Sequence, residues 1–364
     1  MKLRNIFLFF LITLILSAQQ SLSQEITFFG DKSGSIPISQ QLQIFEDVHS
    51  SLNIDAIVKS DTIHFINTEQ LVPSFSFTRS TIWCKFKINY KSSEDCYLEV
   101  SPPILNQIVC YEIFENKIDS TVLGSLYTDK NDNFLESNNY VFKLNPNAKF
   151  YILKIKTKTR LFIKAQICSF NSLTDKTKKA DKVQFMYAGL LIMIFIYNLF
   201  LFISTREKIF LYYLLHLINS GIYFLYISGY GIELIWHNFP IINSYFLAII
   251  CFGFILSLFF VLEFLETRKN LPIIHRLLQL MMLVLALNGI ANLMGYSYFV
   301  GILMNYIGFP IILLIIFGAF KLVKNGFIPA STFIYAWLLY LIGIAVQTFQ
   351  SLRMCLPVCH PPLV

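Results

Sequence analysis

Charge is what this sequence has least of. Only 14% of its 364 residues are Asp, Glu, Lys or Arg, against roughly a quarter in an ordinary soluble domain. That excludes a chain facing water along its whole length. The six histidines are dispersed, and there is no His-Glu-x-x-His, no Gly-x-Ser-x-Gly and no phosphate-cradling glycine loop. The sequence therefore predicts no enzyme: no catalytic residue, no metal and no cofactor. The formal net charge is +7, but the cations are scattered rather than gathered in a patch, so no nucleic-acid partner is implied. What fills the chain instead is apolar: 55% hydrophobic and 16% aromatic, with a mean hydropathy of +0.58. This composition describes an integral membrane protein with a soluble portion attached.

Three zones follow one another. Residues 1–23 carry Lys2 and Arg4, an apolar run from Ile6 to Leu16, and small residues at Ser21 and Ser23. This is the pattern of a cleaved secretory signal peptide, and it predicts that the next segment is exported. Residues 24–182 are polar but contain repeated strand-like runs. In "TIWCKFKINY" Ile82, Cys84, Phe86, Ile88 and Tyr90 share one face and Lys85, Lys87 and Asn89 the other, a period of two. "CYLEVS", "QIVCYEIF", "YVFKL", "FYILKIKT" and "LFIKAQI" are further strand candidates, separated by turn-rich stretches. Many short strands without a long amphipathic helix predict an antiparallel, all-β sandwich. Residues 183–350 divide into six apolar runs, at about 183–203, 209–229, 242–262, 273–294, 298–320 and 330–350, each near the ~20 residues that cross a bilayer. They predict an all-α polytopic membrane bundle.

Loop charge orients it. Arg206 and Lys208 follow the first run, Arg268 and Lys269 the third, Lys321 and Lys324 the fifth, while the loops after the second and fourth carry no Lys or Arg. Positive charge in alternate loops places those loops in the cytoplasm and the sandwich outside. The prediction is a multi-pass protein of the inner (cytoplasmic) membrane with a periplasmic, extracytoplasmic N-terminal domain.

Candidate functional residues fall in both zones. In the sandwich, Trp83, Tyr97, Tyr111 and Tyr140 are read either as an aromatic platform for a sugar or as strand packing. Trp83 lies on the sheet face opposite Ile82 and Phe86. Cys84, Cys96, Cys110 and Cys168 stand in the exported zone, where both disulfides and buried thiols are consistent with their placement. In the membrane zone His216 is an ionisable group inside a span, read either as a proton sensor or as a neutral side chain bonded to a neighbouring helix, with Asn198 and Asn219 as its nearest candidate partners. Asn198, Asn219, Asn288, Asn292, Asn305 and Gln347 are expected to face the bundle interior. Glu233 and Trp236 sit in the outer loop after the second run, Trp236 as an interfacial anchor or as part of a contact that carries the sandwich's state into the bundle.

The run "YAGLLIMIFIYNLFLFISTREKIFLYYLLHL", with its Tyr197–Asn198 pair and its Arg206-Glu207-Lys208 hinge, resembles bacterial seven-transmembrane receptors with diverse intracellular signalling modules, and "GYGIELIW" fits the same pattern. "LQIFEDVHSSLNIDAIV", "STIWCKFKINY" and "CYLEVSPPILNQIVCYEIF" are similar to that family's jelly-roll-like outer domain. The resemblance implies a membrane receptor in signal transduction. Its outer domain would bind a small ligand, a carbohydrate being the implied class, and its helices would pass the signal to a cytoplasmic output or partner. The alternative is a transporter or channel with an extracytoplasmic binding domain.

The chain departs from the family in lacking a seventh apolar run and an output module, so it is expected to be a receptor fragment. Its tail, residues 351–364, carries Cys355, Cys359 and His360 in a near-match to a haem attachment site. The cysteine spacing is one residue too long, and Pro357, Pro361 and Pro362 crowd it. The tail is therefore read as the aberrant end of a disrupted frame, not as a cofactor site.

Overall fold

The computed structural model describes residues 26–60, 63–68, 70–126 and 137–336. Residues 1–23, read above as a signal peptide, together with Gln347, most of the sixth apolar run, and the tail with Cys355, Cys359 and His360, lie outside them.

Fourteen strands build the outer domain among the described residues. One sheet has six strands, in the order β10 (Ile118–Leu123), β9 (Gln107–Ile113), β12 (Phe150–Lys156), β6 (Thr81–Phe86), β3 (Gln43–Asp47) and β4 (Ile66–Asn67). The other has four: β11 (Tyr140–Leu144), β8 (Cys96–Ser101), β14 (Lys164–Cys168) and β2 (Ser35–Pro37). Both are antiparallel throughout. Every strand-like run read from the sequence forms a strand. "TIWCKFKINY" splits at Lys87 into β6 and β7 (Ile88–Tyr90), and β7 pairs in parallel with β1 (Ile26–Phe28). "LFIKAQI" likewise splits into β13 (Arg160–Phe162), paired with β5 (Ser74–Phe77), and β14.

The core lies between the two sheets. Ile82, Cys84 and Phe86 of β6 meet Leu98 and Val100 of β8 there, with Leu153 and Ile155 of β12 and Ala165 and Ile167 of β14. Alternation does the sorting, because a period of two sends one set of side chains inward and the other outward. Trp83 and Ile152 therefore point to the opposite face of the six-stranded sheet. There a second, smaller cluster forms beneath α1 (Ile54–Lys59), whose N-cap Asn53 accepts a hydrogen bond from the Ala56 amide at 2.9 Å.

The cysteine question has a definite answer among the described residues: Cys84, Cys96, Cys110, Cys168 and Cys251 are all buried free thiols. Burial in apolar strands disfavours the thiolate, pushing Cys96 and Cys168 up to about 12 and Cys84 and Cys110 higher still. With Cys355 and Cys359 replaced by serine, the folded protein is expected to resist a membrane-impermeant maleimide. The four sandwich thiols should react only after denaturation. Rapid labelling of the folded protein would contradict this burial.

Among the described residues, five helices are long and apolar enough to cross a membrane. They are α2 (Phe170–Thr205), α3 (Lys208–Ser228), α4 (Phe246–Phe264) with the 3-10 turn Pro240–Tyr245 before it, α6 (Pro272–Leu293) and α7 (Ser297–Lys324); the four-residue α5 (Thr267–Asn270) sits between α4 and α6. Residues 328–336 are helical as well, at the start of the sixth apolar run. The helices present Met193, Phe200, Leu283, Phe299 and Phe317 outward, as side chains that face lipid should be.

One boundary differs from the sequence analysis. Residues 170–182, grouped there with the sandwich, are the first turns of α2. Their "NSLTDKTKKADK" has no apolar period to announce a helix. It is helical because Ser169 caps it, accepting from the Ser172 amide at 3.3 Å, and because the membrane-spanning turns beyond remove the cost of nucleation.

Candidate functional site

Any signal that starts in the sandwich must leave it where it meets the helices, and three groups of residues make that junction. The first is covalent. Strand β14 ends at Cys168, and after Ser169 the chain enters α2. Glu99 of β8, whose side chain is 3% exposed, lies beside this entry and receives Lys176 of α2 at 2.7 Å. Asn139 and Gln166 also donate to it. A buried carboxylate needs this many donors, since desolvation otherwise penalises its charge. Nearby, a hydrogen bond with Ser169 and a second from Asn171, which donates at 2.6 Å, hold the Asp31 carboxyl below its usual range.

The second group joins the sandwich to the α3–α4 connection. α3 ends at Gly229 with φ +84°, a conformation that disfavours a side chain, and any Cβ there would also press on Pro103 of the sandwich. The chain then forms a π-helical turn, Gly231–Ile235. Trp236 folds back over it so closely that a Cβ on Gly231 would overlap the indole ring. Trp236 packs with Tyr226 and Phe246, whose rings stack at 3.5 Å, and Ile104 of the sandwich completes the cluster.

A chain of hydrogen bonds runs through this cluster. Trp236 Nε1 donates to Asn243 Oδ1 (3.0 Å), and Asn243 Nδ2 donates to the Ser125 carbonyl (2.9 Å). Ser125 is bound in turn to the sandwich loop 105–106, its amide donating to the Leu105 carbonyl at 2.8 Å and its Oγ accepting from Asn106 at 3.4 Å. Ser125, Asn243 and Trp236 are buried. In such surroundings each polar atom depends on its neighbour, because water cannot replace it.

The third group joins β5 and the residues after it to α7. Phe77 lies against Gly301, and the Arg79 guanidinium stands 4.9 Å over the Tyr298 ring. Tyr230 adds a bond to Asp181 of α2 at 2.7 Å. The bundle ends that touch the sandwich are those reached by the loops without Lys or Arg. The Lys- and Arg-bearing loops gather at the other end, around a cavity of about 1130 Å³ whose lining includes Lys208, Glu266, Arg268, Lys269, His275 and Arg276.

The residues singled out from the sequence distribute unevenly over this frame. Trp236 belongs to the junction. Glu233 is exposed in the same turn. His216 binds across helices, its Nδ1 2.8 Å from Ser257 Oγ of α4, and its partner is therefore neither Asn198 nor Asn219. Asn198 turns back on its own helix, donating to the Ile194 carbonyl at 2.8 Å. Asn219 is buried against Gly253. Asn288 and Asn292 tie α6 to its neighbours, Asn288 through the Val300 carbonyl and Asn292 through the Ala248 amide and Ser297. Asn305 is exposed rather than interior.

The four aromatics do not share one surface. Trp83 and Tyr111 stack at 6.2 Å on the outer face of the six-stranded sheet, with Trp83 wholly buried. Tyr97 packs under Leu173 of α2 on the outer face of the other sheet. Tyr140 is in the core, its hydroxyl donating to the Pro103 and Leu105 carbonyls at 2.8 and 2.9 Å. Sequence reasoning missed Ser125, Asn243 and Glu99. The first two are ordinary polar residues of loops. A carboxylate in the strand run "CYLEVS" was the available signal for Glu99.

Two family models match the chain. One, described as "7TMR-DISM extracellular 2", covers residues 39–169. The other, "7TM diverse intracellular signalling", covers residues 181–358. No curated protein matches. The two models meet on either side of the Ser169 junction, in the order that the sandwich and helices occupy. The chain belongs to the seven-transmembrane receptors with diverse intracellular signalling modules, as a multi-pass membrane protein with its sensor domain outside.

Proposed function

We propose that the outer domain binds a small ligand and that its state reaches the membrane helices through the Ser125–Asn243–Trp236 chain. The observation that carries this reading is the Asn243 amide, which is buried and spends its donor on the sandwich and its acceptor on the bundle. A shift of the 104–106 and 124–126 loops moves the acceptor of Asn243 and hence the seat of Trp236. Carbohydrate is the ligand class that the family resemblance supports. Of the four aromatics only Tyr111, half-buried beside Trp83 on the six-stranded sheet, offers a ring edge for it, whereas Trp83, Tyr97 and Tyr140 serve packing. Within the bundle the His216–Ser257 bond between α3 and α4 extends the route inward. The charged cytoplasmic end is where an output module or partner reads it. The chain itself performs no catalysis.

The test is hydrogen exchange on the full chain in nanodiscs, comparing wild type with Asn243→Leu. The substitution lies in the membrane domain, but it is expected to speed exchange of the Ser125 and Leu126 amides in the sandwich about tenfold, the loss of one buried hydrogen bond of ~1.4 kcal/mol. A change confined to residues 230–246 would show that the junction does not couple the domains.

A further inference from the structure

Beside the hydrogen-bonded chain, between the sandwich and the outer end of α7, lies a cavity of about 450 Å³. Among the described residues its wall includes Arg79, Lys156 and Lys158 and no acidic residue. None of the three makes an ion pair with a described residue. Three cations around one concavity repel each other and raise the local concentration of anions.

Two features of the fold add to this. The start of α7 lines the same cavity, with Gly295 and Tyr296 before it and Ser297 and Tyr298 in its first turn, and its N-cap, Tyr296, makes no side-chain cap bond. The positive end of a 28-residue helix is thus turned toward the space. Asn106 holds the wall rigid: it is buried, and its Oδ1 accepts from Thr157 Oγ1 at 3.1 Å and from the Lys158 amide at 2.6 Å. The same Asn106 donates to Ser125, the sandwich end of the chain that reaches Trp236.

We propose that this cavity binds an oxyanion, the carboxylate or phosphate of a small molecule or of a lipid headgroup, and that the bound anion draws the sandwich and α7 together. Lys156 and Lys158 hold the anion from the sandwich side and the α7 amides from the membrane side, while Arg79, over Tyr298, spans both. An occupant bearing on Lys158 acts on Asn106 directly, since the Lys158 amide is one of the groups that fix it. The inference rests on the function proposed above, with the cavity as the place where that function is set.

The experiment titrates inorganic phosphate, at constant ionic strength, into the full chain in phosphatidylcholine nanodiscs and follows the unfolding temperature. Wild type is expected to show a saturable rise. Lys156→Gln and Lys158→Gln, both at exposed side chains whose loss leaves the fold intact, are expected to bind phosphate about tenfold more weakly, the worth of one charge-assisted hydrogen bond. Nanodiscs that also contain phosphatidylglycerol separate the two sources. A headgroup occupant raises the unfolding temperature by itself in wild type and blunts the phosphate titration, and it does neither in Lys158→Gln. A soluble occupant leaves the titration unchanged by the lipid. Either result supports an oxyanion site. If neither phosphate nor phosphatidylglycerol distinguishes wild type from the two variants, the proposal is overturned. That failure would leave the exchange result at Asn243 standing, so the two readings fall separately.

Discussion

Replacing Gly231 by alanine is expected to disturb the outer end of the bundle more than any other change of one methyl group. The residue is in a helical turn and adopts no positive φ, so alanine has no conformational objection there. Its effect comes entirely from Trp236, whose indole occupies the space where the Cβ would stand. The ring is buried against Tyr226 and Phe246 and has no open side to retreat into. Overpacking of this kind costs about 1–3 kcal/mol, and moving the indole also strains its bond to Asn243. Two measurements check the expectation. The unfolding temperature should fall, and in a variant whose other tryptophans, Trp83 and Trp337, are phenylalanine, Trp236 emission should shift to the red as the ring leaves its pocket. Unchanged stability together with unchanged emission would mean that the ring yields freely and that the junction is loosely packed.

The second large effect is expected at Glu99. In Glu99→Leu the three groups that converge on the carboxylate lose their common acceptor. The Lys176 side chain is 39% exposed and can turn to water, whereas Gln166 is buried and cannot. The cost is therefore set mainly by the stranded amides, about 2–4 kcal/mol. Glu99→Gln keeps an acceptor oxygen and should lose distinctly less. Thermal unfolding followed by near-ultraviolet dichroism of the sandwich distinguishes the two. Equal losses would mean that the carboxylate's charge, rather than its place as an acceptor, is what matters. The loss should also loosen the first turns of α2, because Lys176 is their tie to β8.

How far the sequence exposes all this depends on which forces leave a pattern. Alternation at Ile82, Cys84 and Phe86 and the long apolar runs were legible because burial sorts residues with a fixed period, and loop charge oriented the bundle for the same elementary reason. The junction left no period. Ser125 and Asn243 are distant in sequence and unremarkable alone, and only the docking of sandwich on bundle brings them to 2.9 Å. His216 was recognisable as a polar group that needs a partner, but which serine or asparagine supplies it depends on how α3 faces α4. The helical state of residues 170–182 was hidden for a different reason. Their composition is indifferent, and the decision is made by the helix that continues beyond them.

That segment has a consequence of its own. α2 is 36 residues long, about 54 Å at the ordinary rise, of which ~30 Å crosses the hydrocarbon. The remainder is a screw thread between sensor and membrane. Every residue in it fixes about 1.5 Å of height and ~100° of azimuth for the domain above. Losing or gaining one residue between Lys176 and Asp181 would turn the sandwich against the bundle and pull the Ser125 carbonyl away from Asn243, although no side chain at that contact had changed. In this protein a stretch of plain polar helix acts as a gauge, and its length carries as much information as the residues at its ends.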